Sequence, residues 1–249
     1  MTAALADLAI RCLELEATTY PKPGLVSRFD TGSHADMDID TFRRSASAIR
    51  PYFAALADAG ASGCGMARLR TIGLEAEAAM LAATGGINTH RGAIFGLGLL
   101  CAAAGQGDRA TSLGATVACL WGADAADGPR RYGAGGARLE AARGFPSVYQ
   151  IGLPALRSGD GEAARVHACF ALIAAVEDTN LLHRGGLAGL HFAQRAAQDF
   201  LDEGGVGRSD WRARALAVHR AFVARRLSPG GTADLLAMSL FVQACEAKA

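Results

Sequence analysis

The chain has 249 residues, which is long for one domain and short for two. Hydrophobic residues make up 51% of it, so a sizeable core can form. The formal net charge of +1 excludes recognition of nucleic acid through bulk positive charge, and no nucleic-acid partner is expected.

Cysteine usage and the apolar segments favour a cytoplasmic protein. The six cysteines are scattered without a Cys-x-x-Cys pair, which indicates small buried hydrophobes in a reducing compartment. Residues 1–9 carry Asp7 and no basic stretch, so they are not typical of a secretory signal. Apolar stretches such as residues 94–104 are too short and too rich in glycine to span a bilayer, so no membrane partner is expected.

The predicted elements are all helices. Valine and isoleucine are sparse and rarely alternate with polar residues, whereas alanine, leucine, arginine and glutamate dominate. In the segment 161–177 the apolar residues form one stripe, and the segment 209–226 repeats this spacing with Ser209 as its N-cap. The sequence predicts one all-α multi-helix domain over residues 1–249, with helices at about 3–17, 40–60, 68–83, 91–104, 109–124, 161–177, 186–203, 209–226 and 232–246.

Between these helices, proline and glycine mark the breaks. Residues 21–24, Pro-Lys-Pro-Gly, end the first helix, and glycine pairs separate the last three. Residues 125–160 are rich in glycine, proline and arginine, so we predict a mobile loop there. No break resembles a linker between domains.

The first polar segment, residues 21–38, follows the first helix. It offers Lys22, Arg28, His34, Asp36 and Asp38. The Asp-x-Asp pair suits a hard cation such as Mg²⁺ that bridges to phosphates. Taken alone, Asp38 is better explained as the cap of the helix that starts near residue 39.

The second polar segment is Gly-Gly-Ile-Asn-Thr-His-Arg-Gly, residues 85–92. The apolar residues 93–104 follow, so the polar cluster lies at the start of a buried helix, where free N–H groups and the dipole attract anions. A phosphate-bearing substrate is the expected ligand. The alternative is that Asn88 and Thr89 only cap this helix and that Arg91 is solvated.

The third polar segment contains Glu177, Asp178, Thr179 and Asn180. The preceding apolar stripe stops at Val176, which puts two carboxylates at the C-terminal end of a predicted helix. Negative charge is unfavourable there, so a bound cation is expected to offset it.

The remaining polar positions carry weaker signals. Glu75 and Glu77 are two residues apart on one helix, so at most one of them faces a site. Residues 228–234, Ser-Pro-Gly-Gly-Thr-Ala-Asp, are interpreted as a structured turn and cap. The histidines at 167, 191 and 219 lie within predicted helices and are interpreted as structural or surface residues.

Taken together and in this order, these segments resemble the triphosphoribosyl-dephospho-coenzyme A synthase family. The resemblance covers nearly the whole chain, and several of its motifs are long and unusual in composition. The matching stretches are PKPGLVSRFDTGSHADMD (21–38), GLEAEAAM (73–80), GGINTHRGAIFGLGLL (85–100), EDTNLLHRGG (177–186) and SPGGTADLLA (228–237).

The resemblance implies an all-helical transferase that acts on ATP and 3′-dephospho-CoA. Adenine is released, and the triphosphoribosyl group joins the 2′-hydroxyl of dephospho-CoA to give the precursor of an acyl carrier protein's prosthetic group. One branch of the family serves citrate lyase and another serves malonate decarboxylase. Residues 130–156 resemble the malonate decarboxylase branch more closely, and residues 122–129 look short for the family.

This chemistry needs carboxylates for the ribose cation and the attacking hydroxyl, and it needs cations with Mg²⁺ for the triphosphate. The expected catalytic residues are Asp36, Glu77 and Asp178, and the expected Mg²⁺ ligands are Asp36, Asp38 and Asp178. The expected substrate-binding residues are Lys22, Arg28, Asn88, Thr89, His90, Arg91, Asn180 and Arg184.

Two further functions stay open. A magnesium-dependent glycohydrolase of ADP-ribosyl type would use similar carboxylates but transfer to water. A nucleotide- or carrier-protein-binding module would need no carboxylates beside its cations. The sequence also leaves open whether the chain forms a homodimer.

Overall fold

The computed structural model describes residues 1–108, 110–127 and 136–246, and these residues contain no β-strand. The prediction of an all-α fold is therefore confirmed. A π-helical turn (Val148–Gly152) leads directly into α7, and a 3₁₀ turn (Gly205–Gly207) precedes α10. The helices are α1 (Thr2–Thr18), α2 (Ile39–Ala61), α3 (Met66–Thr84), α4 (Arg91–Gly105), α5 (Leu113–Ala126), α6 (Gly136–Ala142), α7 (Leu153–Arg157), α8 (Gly161–Ala175), α9 (Thr179–Asp202), α10 (Trp211–Ala224) and α11 (Gly230–Glu246).

Helix α4 occupies the centre of the core because it is apolar on nearly every face. Its residues Ile94, Leu97 and Leu100 are buried. It packs against α2 and α11, and it also touches α1, α3 and α5. The polar residues that precede α4 therefore lie at the edge of the core, next to α2 and α11.

Side-chain caps fix the starts of several helices. Asp38 and Thr41 form a reciprocal capping box at α2, as expected for Asp38 when it is taken alone. Ser112 caps α5, which begins four residues later than predicted. Asp178 caps α9 and accepts hydrogen bonds from the backbone of Asn180 and Leu181.

The prediction of a loop over residues 125–160 is wrong in part, because residues 136–157 contain α6, the π-helical turn and α7. Burial overrides the local glycine and proline content: Phe145, Val148 and Leu153 are all in the core. The hydroxyl of Tyr149 also accepts a hydrogen bond from Gly114 N at 2.9 Å. Residues 128–135 of the predicted loop, and residues 130–135 of the branch-specific stretch, lie outside the described residues.

Two predicted helix starts need correction. Helix α10 begins at Trp211 after Asp210, so Ser209 is not its N-cap, and Asp210 instead forms an ion pair with Arg208. Helix α9 begins at Thr179 rather than near 186. Gly186 interrupts it with φ of 59° and ψ of −163°, a conformation open mainly to glycine, so the predicted helix corresponds to its second half.

The six cysteines are free thiols. Cys12, Cys101 and Cys169 are buried, as predicted for small hydrophobes, whereas the same prediction is wrong for Cys119, which is exposed. Among the described helices, none is long and apolar enough to cross a membrane.

Candidate active site

Residues 228–234, which we call the SPGGTAD turn, bring distant polar segments together. The turn follows α10 and includes the first residues of α11. The hydroxyl of Ser228 is 2.9 Å from His34 Nε2. Thr232 N donates to Asp178 Oδ2 at 2.7 Å, and Asp234 lies against Gly92 at the start of α4. Interpreting these residues only as a turn and cap missed their role as a junction.

The carboxylate of Asp178 is buried and fully engaged. Its Oδ1 accepts from Asn180 N at 2.8 Å and Leu181 N at 3.2 Å. Its Oδ2 accepts from both the backbone N and the hydroxyl of Thr232. Burial raises the pKa of Asp178, while these donors act to lower it. These contacts argue against Asp178 as a metal ligand or base, which stays an untested prediction.

The expectation of a cation beside Asp178 rested on placing this carboxylate at the C-terminal end of α8. That placement is wrong, because α8 ends at Ala175 and Asp178 is the N-cap of α9. At a helix N-terminus negative charge is favourable. Three helix N–H groups therefore offset the charge of Asp178 without a bound cation.

Asp234 occupies the anion-attracting start of α4. A Cβ placed on Gly92 would overlap the Asp234 carboxylate, and the backbone N–H of Ala93 hydrogen-bonds to it. Burial raises the pKa of Asp234 well above its ordinary value, and the nearby carboxylates of Glu16 and Asp178 raise it further. The α4 N-terminus therefore already contacts a carboxyl group of the protein.

Lys22 lies in the interior, with 1% of its side chain exposed, and pairs with the carboxylate of Glu16 on α1. Burial raises the pKa of Glu16, whereas Lys22 acts to lower it. The predicted role of Lys22 in phosphate binding is not tested, but in this conformation its ammonium group is enclosed. It partly balances the charge of Glu16, which is near enough to Asp234 to raise its pKa.

Arg184 and His34 form the more open part of the site. Arg184 donates to the carbonyl oxygens of Ser33 and Arg226, and to His34 Nδ1 at 3.2 Å. The same guanidinium nitrogen is also 3.5 Å from His34 Nε2, and His34 Nδ1 is 3.5 Å from Asp36 Oδ1. Burial and Arg184 lower the pKa of His34, while Asp36 opposes them from 3.5 Å. Asp36 itself is 61% exposed.

His90 is buried at the start of α4 and is held by a chain of hydroxyl groups. Thr89 Oγ1 donates to Ser45 Oγ at 2.7 Å, and Ser45 Oγ is 2.6 Å from His90 Nδ1. Burial lowers the pKa of His90 to about 4. This shift favours a neutral ring at pH 7, so His90 would contact a phosphate through a hydrogen bond and not through charge. Its role in substrate binding stays a prediction.

Arg91, the first residue of α4, forms an ion pair with the half-buried Glu77 of α3, with Arg91 Nε 2.8 Å from Glu77 Oε2. Asn88 Oδ1 accepts from Arg91 N at 3.1 Å and so caps this helix turn. Glu75 is exposed, so Glu77 is the member of the acidic pair that makes a specific contact. The roles of Glu77 and Arg91 in catalysis and binding stay predictions.

The three expected Mg²⁺ ligands do not form a preassembled site. Within residues 1–108, 110–127 and 136–246, no three His, Cys, Asp or Glu side chains are grouped so as to hold a metal ion. Asp38 Oδ1 already accepts two hydrogen bonds from Thr41. Because Mg²⁺ commonly keeps its waters and uses one or two carboxylates plus substrate phosphates, the exposed Asp36 still fits an ion that arrives with ATP.

The other two expected binding residues lie in different surroundings. Asn180 is exposed, and its side chain lies over Gly230 of the SPGGTAD turn. Arg28 is exposed and faces Glu162 of α8 at 3.8 Å, where both residues line a cavity described below.

Sequence reasoning missed Glu16, Ser45 and Asp234. Glu16 could have been noticed because it lies on the same helix face as the buried Cys12 and Leu13, where a charge is unexpected. Ser45 and Asp234 gave no comparable signal, since their roles depend on packing between helices.

Comparisons with known proteins agree with the resemblance. A family model described as ATP:dephospho-CoA triphosphoribosyl transferase (CitG) matches residues 2–127 and 129–249. No solved structure matches the chain significantly.

Three similar proteins are each named probable 2-(5''-triphosphoribosyl)-3'-dephosphocoenzyme-A synthase. The protein of Stutzerimonas stutzeri (strain A1501) is 42% identical over 261 residues, covering 96% of this chain and 90% of the relative. That of Pseudomonas fluorescens (strain Pf0-1) is 43% identical over 265 residues, covering 97% and 91%. That of Vibrio cholerae serotype O1 (strain M66-2) is 40% identical over 271 residues, covering 96% and 87%.

Proposed function

The chain belongs to the ATP:dephospho-CoA triphosphoribosyl transferase family, and we propose that it makes 2′-(5″-triphosphoribosyl)-3′-dephospho-CoA from ATP and 3′-dephospho-CoA. The observation that carries this proposal is the similarity of nearly the whole chain to relatives named for that synthase, at 42% identity over 96% of the chain for one of them. The grouping of acidic and cationic side chains around the SPGGTAD turn supports it.

In this reaction the bond between the ribose C1 of ATP and adenine breaks, and a bond forms between C1 and the 2′-oxygen of dephospho-CoA. The hydroxyl loses its proton, and the departing adenine takes one up. Positive charge develops on the ribose in the transition state, so a nearby carboxylate stabilises it. A base on the face opposite adenine would lead to inversion at C1.

We assign the proton-holding role to Asp234 and keep Asp36 as the exposed carboxylate of the site. Enzymes that break glycosidic bonds use two carboxyl groups in contrasting environments, one protonated and one ionised. Burial raises the pKa of Asp234, and the neighbouring carboxylates of Glu16 and Asp178 raise it further, so the protonated form is favoured. Asp36 is solvated. Glu77 is the remaining expected catalytic residue and pairs with Arg91.

We assign the triphosphate to Arg184 and Arg91. The hydrogen bonds of Arg184 go to two carbonyl oxygens and a neutral imidazole, so its positive charge is retained at the site. Guanidinium groups bind phosphate oxygens through charge-assisted pairs. When bound, Mg²⁺ would neutralise phosphate charge, and the exposed Asp36, beside His34, could contact it.

We further propose that the product serves the acyl carrier protein of malonate decarboxylase. The support is the resemblance of residues 130–156 to that branch of the family. Because both branches make the same product, the test deletes the gene for this chain from its host and measures by mass spectrometry which carrier protein loses its prosthetic group. We expect loss from the carrier protein of malonate decarboxylase, and loss from that of citrate lyase alone would remove the support for this branch.

Adenine release tests the proposed activity. The protein is incubated with ATP, Mg²⁺ and dephospho-CoA, and free adenine is separated by chromatography. We expect adenine to appear only when dephospho-CoA is present, together with a product whose mass equals the sum of both substrates less adenine. Adenine or ribose phosphates formed without dephospho-CoA would instead support the glycohydrolase.

Asp234→Asn tests the assignment of the acid–base group. The amide oxygen can still accept from Ala93 N, but the side chain no longer exchanges a proton. We expect turnover to fall by roughly 100-fold or more, as for loss of a general acid or base. Asp58→Asn, an exposed change on α2, is the matched control. A folded Asp234→Asn protein with near-normal turnover would exclude this role.

A further inference from the structure

A cavity of about 310 Å³ lies where residues 20–29 meet the first turns of α8 and α10. This volume is within the range of small-molecule sites. The cavity includes none of the residues of the SPGGTAD turn. Its lining combines aromatic, aliphatic and charged side chains, among them Tyr20, Arg28, Phe29, Glu162, Arg212 and Leu216.

Positive charge is in excess among the side chains that line this cavity, while Asp30 interacts with the lining residue Tyr20. Arg28 and Arg212 each place a guanidinium nitrogen 3.8 Å from Glu162, on different oxygens of the carboxylate. Arg165 is a third cation in the group: burial lowers its pKa, Glu162 opposes this, and Arg28 adds to it. Two guanidinium groups therefore share the carboxylate of Glu162, and Arg165, whose Nε donates to Thr19, interacts with it electrostatically. A distance of 3.8 Å is too long for a good hydrogen bond. An anion can replace water on both exposed arginines without breaking a short contact.

An apolar platform lies next to these charges. Phe29 is 63% exposed although it is a large hydrophobic residue. Its ring centroid is 4.6 Å from that of Tyr20, and the Arg28 guanidinium lies 4.9 Å from the Phe29 centroid. A flat aromatic group can stack on such a surface while its charged part reaches the arginines.

The backbone favours the same kind of ligand. Both α8 and α10 begin at the cavity, and neither Asp160 nor Asp210, their N-cap residues, makes a side-chain cap hydrogen bond. The positive ends of two helix dipoles therefore lie at the cavity, and the carboxylates of Asp160 and Asp210 offset part of their effect.

We propose that this cavity binds the adenosine 5′-phosphate part of a nucleotide, with the base on Phe29 and the phosphates between Arg28 and Arg212. ATP and dephospho-CoA share this chemistry, and the identity of the ligand rests on the proposed function. A transfer between two nucleotides must hold both of them at once. The cavity supplies a second binding region, apart from the groups around the SPGGTAD turn.

Calorimetric titration of ATP and of dephospho-CoA, each alone, tests the proposal without turnover. The double variant Arg28→Gln/Arg212→Gln removes the two exposed charges, and Phe29→Leu removes the flat ring but keeps the charges. Arg70→Gln on α3, an exposed arginine outside the cavity lining, is the matched control. We expect the Kd of at least one nucleotide to rise tenfold or more in the double variant. The nucleotide whose Kd rises is the one that the cavity binds.

Three outcomes would overturn the proposal: unchanged affinity for both nucleotides in the double variant, an equal loss in Arg70→Gln, or no binding of either nucleotide by the wild type. Adenine release separates this test from that of the proposed function. If the wild type binds a nucleotide through the cavity but releases no adenine with dephospho-CoA, the cavity site stands and the activity fails. If adenine is released but the cavity variants bind both nucleotides as the wild type does, the proposed activity stands and the cavity site is excluded.

Discussion

Four hydrogen bonds converge on the carboxylate of Asp178, from Asn180, Leu181 and twice from Thr232. A carboxylate offers about four lone-pair sites. A metal ion or a substrate hydroxyl would therefore have to displace one of these four donors. This side chain joins the starts of α9 and α11 and so positions the SPGGTAD turn.

Asp178→Asn should act mainly on stability. The amide oxygen can keep one set of these bonds, but its NH₂ group then faces N–H donors on the other side. We expect unfolding in urea to show a loss of about 1–3 kcal/mol, the cost of leaving buried donors unpaired. Glu177→Gln, at the exposed neighbouring position, should change little. If the variant keeps its stability but its turnover falls at least about 100-fold, Asp178 is a catalytic residue.

His90 should make stability depend on pH. Its pKa is about 4 in the folded protein and near 6.5 when unfolded. The folded state therefore binds fewer protons between these values, so stability is full above pH 6.5 and falls as the pH drops toward 4. At about 1.4 kcal/mol per pKa unit, the free energy of unfolding falls by roughly 3 kcal/mol over this range.

Urea unfolding of the wild type and His90→Gln at several pH values isolates this effect. The difference between the two proteins should shrink as the pH falls from 6.5 to 4. His191→Gln, at an exposed position on α9, should follow the wild type at every pH. A difference that stays constant across this range would mean that His90 is not buried in its neutral form.

At the scale of elements, sequence spacing predicted long helices well because their stripes reflect burial. Helix α2 was predicted at 40–60 and runs from Ile39 to Ala61, and α3 was predicted at 68–83 and runs from Met66 to Thr84. The short α6 and α7 were missed because long-range packing around Phe145 and Tyr149 stabilises them. The early start of α9 was missed because Gly186 separates two helical stretches and obscures their continuity.

The contact between α4 and α11 depends on the small size of Gly92, since a Cβ there would overlap the Asp234 carboxylate. We expect Gly92→Ala to lower stability by about 1–3 kcal/mol, as for overpacking, and to reduce turnover by moving Asp234. Gly73→Ala on α3 is the control, because no other group lies near its added Cβ. That change should stabilise by about 0.5–1 kcal/mol. If both variants unfold at the same urea concentration, the approach of α4 to α11 is not tight.

At the scale of the whole molecule, the sequence identified the polar segments but not how they pair. Helix ends and residue types sufficed to select the segments around His34, His90 and Asp178. Their partners Ser228, Ser45 and Thr232 are 194, 45 and 54 residues away along the chain. Such pairings arise only when the helices pack, so local pattern cannot supply them. Convergence of all the expected residues on one pocket stays a prediction.

The cysteines provide a readout of this packing. Burial raises the pKa of Cys12 and of Cys169 to about 12, and it also raises that of Cys101. Cys119 on α5 is exposed. Because the thiolate is the reactive form, iodoacetamide at pH 8 should label Cys119 first. The three buried thiols should react at least about 1,000-fold more slowly, since they require opening of the core.

Mass spectrometry of peptides taken at successive times measures each rate, and Cys119→Ala should remove the fast phase alone. If Cys169 is labelled as fast as Cys119, α8 opens without global unfolding. The start of α8 lines the cavity that contains Arg28, and Cys169 is close enough to Lys22 and Asp178 for their charges to affect its pKa. Local opening of α8 would therefore expose Lys22 and Asp178 to solvent. Slow labelling of Cys169 would mean that substrates meet a site already assembled by the core.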